Sequence, residues 1–200
     1  MITVSVQTDI EKALAKLATI AEAQQFRFSV ARALTMTAAE VQQEVRRNMP
    51  SRFTIRRQWV VQGIRMERAT KDNLTARIFS RDDFMGLQEY GGDKHPRGRM
   101  LAVPTRMVRR TPKGLVAKRD KPRALGDKVE EITYKGNQWL ALKKPRAGRG
   151  GNDMRLMYLL IPRADIDERL GLRKDAERIA RLRFPENLQV ALADAVARAR

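Results

Sequence analysis

The chain has 200 residues, 42% of them hydrophobic, with 41 Lys+Arg against 23 Asp+Glu and a net charge of +18. That apolar fraction supports one domain with a real core and excludes wholesale disorder. The basic excess is no requirement of a fold, since self-repulsion destabilises a compact state, so it points outward to nucleic acid, an anionic membrane or an acidic protein. With no cysteine, disulfides, thiolate metal sites and cysteine nucleophiles are excluded.

In chain order, Met1 to Val6 alternates like a strand and shows neither the basic nor the apolar region of a signal peptide. No stretch approaches the roughly 18 apolar residues of a membrane span. The expectation is a soluble protein without membrane contact, made and used in the cytoplasm or carried out of it in a particle. Thr8 or Asp9 can cap a helix whose face is Ile10, Leu14, Leu17 and Ala21. A longer helix follows from about Phe28 to Asn48, with the stripe Val30, Leu34, Val41 and Val45, and Pro50 is expected to stop it.

From residue 53 the period shortens. Trp59 to Val61, Gly63 to Met66 and Ala76 to Phe79 read as strands, the last two parted by the turn Lys71-Asp72-Asn73. A short apolar segment, Phe84 to Tyr90, ends at Gly91-Gly92. Beyond it a basic, loop-rich insertion is expected at about 93–151, with brief strands at Met100 to Val103, Ile132 to Tyr134 and Gln138 to Leu142. Residues 97–150 hold sixteen Lys+Arg and four Asp+Glu, so a net +12 sits in about a quarter of the chain. Residues 97–128 and 144–152 combine Gly, Pro and charge with few apolar anchors, and external contacts are expected to order them. Leu156 to Ile161 reads as a buried strand. Asp165 or Asp167 is expected to open a helix that Phe184-Pro185 breaks, with Pro185 then starting a last helix whose stripe is Leu188, Leu192 and Val196. The outline is α+β: a small mixed or antiparallel sheet, long N-terminal helices and C-terminal helices packed against it, in a single domain over 1–200.

No constellation of residues announces a reaction. His95 is the single histidine, and with no cysteine it cannot build a zinc site from its neighbours. No nucleophile elbow accompanies it. Asp82-Asp83 offers oxygen ligands of the kind a hard cation needs, but reads better as a polar turn. Gly148-Arg149-Gly150-Gly151 lacks the Gly-Lys-Ser/Thr and the strand–turn–helix context of a phosphate loop. The reading is a non-enzyme with no cofactor and no metal. The chemistry-bearing feature is the basic insertion, with Arg106, Arg109, Arg110, Lys118, Arg119, Lys121 and Arg123 in one cluster and Lys143, Lys144, Arg146 and Arg149 in another. Such groups meet a polyanion or an acidic subunit in a sequence-independent way. Tyr134 and Trp139 fall inside strand candidates, so a base-stacking surface is not indicated.

Three stretches carry a resemblance. Ile179 to Leu192, an Arg-rich helix running into Phe184-Pro185-Glu186-Asn187-Leu188, resembles the close of the phage minor tail protein Z family. Ala31-Arg32-Ala33-Leu34-Thr35 through Val45 resembles its Ala-rich opening helix, and Phe84 to Gly92 is similar to the Glu-Tyr-Gly segment of the wider tail-completion group. The resemblance implies a structural protein of the virion tail near its head-proximal end. Its expected roles are tail completion, head–tail joining or seating of the DNA end. The expected partners are tube, terminator or connector subunits, further copies of itself and the viral double-stranded DNA. A stand-alone, sequence-independent double-stranded nucleic-acid-binding protein is the alternative, for which no base-reading helix is found. Like-charged copies repel, so the free chain is expected to be monomeric or weakly associated until a partner offsets the charge.

Overall fold

The computed structural model describes residues 2–7, 20–143 and 154–198. The helix expected from Thr8 or Asp9 to Leu17 and the glycine-rich loop at 148–151 lie outside them. Along the chain come β1 (Ile2–Gln7), α1 (Ile20–Arg52), α2 (Trp59–Gln62), β2 (Ile64–Glu67), β3 (Thr75–Ser80), α3 (Met85–Tyr90) and β4 (Gly92–Lys94). Then follow β5 (Leu101–Pro104), α4 (Pro122–Leu125), β6 (Val129–Tyr134), β7 (Asn137–Lys143), β8 (Met154–Ile161), β9 (Ala164–Ile166) and α5 (Leu172–Arg198). The fold is α+β with antiparallel sheets. It divides into two compact units, one of Met1–Gly91 with Asp167–Arg200 and the other of Gly92–Ile166.

In the first unit the sheet order is β1-β3-β2, with Val4 and Met66 both in register with Ile78. Ala76, Ile78 and Ser80 on β3 are buried, one face of a period-two strand. Against that face lies the expected stripe of α1, since Val30, Leu34, Val41 and Val45 are all fully buried and Met49 extends them. Burying a side chain of this size removes roughly 1.5–3 kcal/mol of unfavourable exposure, which makes this stripe the main apolar tie between helix and sheet.

A second face of α1 packs along α5. Arg32 pairs with Asp194 at 2.6 Å, and the Asn187 amide donates to Thr37 Oγ1 at 3.1 Å and to Glu40 at 3.0 Å. Arg183 pairs with Glu40, Arg178 with Glu44 at 2.9 Å, and Arg52 with Asp175 at 2.8 Å. Residue numbers rise along α1 as they fall along α5, so the two helices run antiparallel. In the C-terminal half of α5 the buried positions are Asn187, Ala191 and Ala195. The contact line is thus one residue off the expected stripe: Leu188 and Leu192 flank it half-buried and Val196 is 60% exposed. Small residues hold the line because two helices approach closely where side chains are short.

Three local expectations give way to tertiary contacts. Pro185 neither ends nor begins a helix; α5 passes straight through it. A proline in a helix interior costs about 3 kcal/mol, and here Phe184 and Leu188 pack on the core while Arg183 and Asn187 bind α1 on either side of it. Pro50 likewise fails to stop α1, which reaches Arg52. The Arg52 guanidinium spans both Asp175 carboxylate oxygens and the Leu170 carbonyl, and so holds that last turn in place. Trp59 to Val61 is one helical turn instead of a strand, closed by the Gly63 N–H on the Trp59 carbonyl at 2.8 Å. Three apolar residues in a row carry no period, and Val60 and Val61 reach the core from a helix as readily as from a strand.

Neither Asp165 nor Asp167 opens the C-terminal helix. Asp165 lies in β9, opposite Asp93 of β4. The buried Glu89 carboxylate does the capping, accepting the Leu172 N–H at 2.7 Å and the Arg173 N–H at 2.9 Å. One carboxylate thereby satisfies two of the four amides that a helix start leaves unpaired, and its charge suits the positive end of the helix dipole. Next to it the Gln88 carbonyl accepts the N–H groups of Arg169 and Leu170, and Gly91 turns the chain away at φ +70°.

In the second unit β4 and β9 form a two-stranded ribbon, and the main sheet is antiparallel in the order β5-β8-β7-β6. The β6–β7 hairpin turns through Lys135 and Gly136, both at positive φ (50° and 75°), the pair of angles a two-residue turn of this twist needs. A bulge between β7 and β8 leaves Met157 as an extra residue. The two consecutive side chains Met157 and Tyr158 can then both enter one cluster with Val108 and Leu125.

Replacing Glu89 by Ala leaves two helix-start amides buried without an acceptor. The expected loss is roughly 1–3 kcal/mol, read as a lower Tm, with Asp167→Asn unchanged as the control. A Glu89→Ala variant that melts with the parent sinks this account of the cap. At Glu40 burial raises the carboxyl pKa, but hydrogen bonds from Arg183 and Asn187 and the Arg183 charge outweigh it, leaving the pKa below the ordinary 4.5. A depressed acid stabilises the fold above its unfolded pKa and loses that contribution as pH falls through the folded one. Glu40→Gln should therefore narrow the stability gap to the parent between neutral pH and pH below 4.5; denaturant titrations at both ends check it, and a constant gap refutes it.

Candidate functional site

The two expected basic clusters fare differently. Lys144, Arg146 and Arg149 lie outside the described residues, and Lys143 ends β7. Arg106, Arg109, Arg110, Lys118, Arg119, Lys121 and Arg123 all sit, exposed, on the connection between β5 and β6. These are the two edge strands of the sheet, so the connection crosses a face of it. This strap, residues 105–128, carries nine Lys+Arg against Asp120 and Asp127.

The strap is ordered from within its own unit, contrary to the expectation that outside contacts are needed. Val108 and Leu125 pin it to Met157 and Tyr158, with Val116 packed alongside. Asp120 is the polar anchor. Its buried carboxylate accepts the Arg109 N–H at 2.9 Å, and its backbone carbonyl accepts the Tyr158 hydroxyl. Burial and the nearby Asp120 charge hold the Tyr158 hydroxyl above its ordinary pKa of 10.0, so it stays a donor at neutral pH.

Between these anchors residues 109–117 form a small hairpin. Arg110 bridges Val116, the Ala117 N–H donates to the Arg109 carbonyl at 2.9 Å, and the Thr111 N–H to the Leu115 carbonyl at 2.7 Å. Gly114 closes the tip at φ +74°. The hairpin is a finger with Arg109-Arg110 at one side of its base, Lys118-Arg119 at the other and Lys113 at the tip. Among the described residues Arg109 makes the strap's one ion pair, with Asp120 at 3.8 Å. Arg110 also donates to the Gly114 carbonyl at 3.3 Å, and the strap's other cations are exposed and in no ion pair among the described residues.

Two other sequence candidates are His95 and the pair Asp82-Asp83. His95 is exposed after β4. Burial and the neighbouring Asp83 raise the Asp82 pKa, and its Oδ2 is buried without a hydrogen-bond partner. Among the described residues no group of three His, Cys, Asp or Glu is placed to hold a metal, and no helix is long and apolar enough to cross a membrane. The structure adds a surface the sequence reading missed. Trp59 and Phe84 meet edge to face at 6.3 Å, each about half exposed, in the first unit. Large aromatics left at a surface are the residue types that dominate protein interfaces, but 25 positions apart in sequence they give no local signal.

Among the described residues the exposed features singled out are surfaces of contact, the cationic strap and the Trp59–Phe84 pair. The family comparison points the same way: residues 9–91 match the family described as "Bacteriophage HK97-gp10, putative tail-component", a likeness covering less than half of the chain. The likeness is to a phage tail-component family; the narrower resemblance to minor tail protein Z is not what it names. The match ends at Gly91, where the first unit gives way to the second. No curated protein and no solved structure matches the chain.

Removing the strap's anchor should release it without unfolding the sheet. In Asp120→Ala, trypsin is expected to cut at Arg109, Arg110, Lys118 or Arg119 many times faster than in the parent. Equal digestion of the two proteins counts against an internally ordered strap.

Proposed function

We propose that this protein is a structural, non-enzymatic component of a bacteriophage tail that acts in tail completion near the head-proximal end. There it joins tube, terminator or connector subunits as one of several copies, after assembly in the host cytoplasm. The observation that carries this reading is the tail-component match over residues 9–91. In the fold this stretch supplies the α1 stripe, two of the three strands of the first sheet (β2 and β3) and the Glu89 cap. The exposed Trp59–Phe84 pair falls in the same stretch and suits contact with a neighbouring tail protein. The cationic strap suits a polyanion or an acidic subunit. The open charges of that strap also support the second reading, a sequence-independent double-stranded nucleic-acid-binding protein that works outside a particle.

Imaging of purified particles that carry a labelled copy separates the two. Density at the head-proximal end of the tail is expected. A label confined to the distal tip, or a protein missing from particles and found on free nucleic acid, removes the tail-completion reading.

A further inference from the structure

The strap has a more definite use than general basicity. From the finger and its base we infer that the strap is a sequence-independent binding site for the phosphate backbone of double-stranded DNA. The inference rests on the tail-component reading only for which duplex is met, the genome that a phage passes through its tail.

Four observations carry it. First, the cations are concentrated: nine lie within residues 105–128, and of the two acids there Asp120 is buried. Second, they are open. In the first unit, surface arginines such as Arg32, Arg178 and Arg183 are matched with carboxylates, whereas Arg110, Lys113, Lys118 and Arg119 form no ion pair among the described residues. Third, they are preorganised. The Asp120 contacts, the Arg110–Val116 bridge and the Thr111 turn hold the finger before any partner arrives, so binding does not carry the entropy of ordering it.

Fourth, the composition suits phosphate better than protein. A protein interface core is depleted in charge and enriched in aromatics, while the strap offers one large exposed apolar side chain, Met107 at 50%. Neutralising phosphates needs only cations, and their gain comes from counterions released by the duplex. The finger has about two paired residues on each side of its tip. A ribbon that short makes few base-edge contacts, which is why the site reads the backbone and not the sequence.

The test is fluorescence anisotropy of the isolated full chain with short duplexes of two unrelated sequences, titrated with salt. Equal affinity for both sequences is expected, falling linearly on a log–log plot at about 0.9 per phosphate contacted. Arg109→Gln/Arg110→Gln should lower that slope by about two, so raising salt from about 50 to about 200 mM costs the variant roughly ten-fold less affinity than the parent. Lys118→Gln/Arg119→Gln should do the same and serves if the first pair disturbs the fold, which thermal melting reports. Arg56→Gln/Arg57→Gln removes equal charge from the first unit and should leave the slope unchanged. An equal slope loss in that control overturns the inference, because net charge would then be enough. So does an absence of duplex binding at the lower salt, or displacement of the duplex by poly-glutamate at equal charge, which assigns the strap to an acidic protein. Since the isolated protein is measured, a failure here leaves its place in the particle untouched, and absence from the tail would leave a positive duplex result standing.

Discussion

The first unit depends on bringing α5 back against α1 after a long detour. The two helices run antiparallel through a seam of small buried residues and paired charges. Its lower end is fixed by two buried carboxylates. Asp175 receives Arg52 and Asn48, and Glu89 receives the first amides of α5. Both acids are fully committed to donors, the condition under which burying a charge is tolerable. Between Glu89 and Leu172 the chain leaves and re-enters, and the Gln88 carbonyl holds Arg169 and Leu170 at the return point. In the second unit the β4–β9 ribbon keeps the entry and exit strands adjacent. Whatever is inserted here must bring its two ends together, and that geometric demand is the one constraint on its content.

Charge is used in opposite ways in the two units. Along the seam, arginines are spent on carboxylates of the facing helix. Most of these pairs are partly exposed, so each adds at most about 1 kcal/mol; their importance lies in matching the helices residue by residue along the seam. On the strap the arginines and lysines are held up by a buried aspartate that keeps its carboxylate for the Arg109 backbone amide and a looser contact with that residue's side chain. Satisfying Asp120 with an amide secures the fold while the surrounding cations stay available. An array so arranged gains little stability from its exposed charges.

What could be read from the sequence was whatever a local period encodes. The stripe from Val30 to Val45 and the strand at Ile78 each bury a face that repeats with the element's own geometry, and Leu156 to Ile161 is legible as a continuous apolar run. What escaped was set by partners distant in sequence. Pro185 looks like a helix boundary until Thr37 and Glu40 are brought against Asn187. The cap of α5 comes from Glu89, 83 positions before Leu172, so no search for a nearby Ser, Thr, Asp or Asn could find it. The Glu-Tyr-Gly segment was singled out by resemblance alone; the structure supplies its physical content, a carboxylate for the helix start and a glycine at positive φ to turn the chain. For the candidate site the cations were legible by counting, but their order was not. The donor that fixes the Asp120 carbonyl is the hydroxyl of Tyr158, 38 residues downstream.

The division of labour follows from these placements. The likeness to a tail-component family ends at Gly91, and the strap's cluster of nine cations lies beyond it. Along the seam a change of charge disturbs a matched pair. On the strap, exposed cations contribute little to stability, and exchanging one alters the external field while Val108, Asp120, Leu125 and Tyr158 keep the scaffold in place. Contact strength can therefore vary there without cost to folding. A surface that must meet a polyanion tightly enough to hold it and loosely enough to release it is best built on such a scaffold, where affinity is set by the number of cations and by salt and is independent of the core.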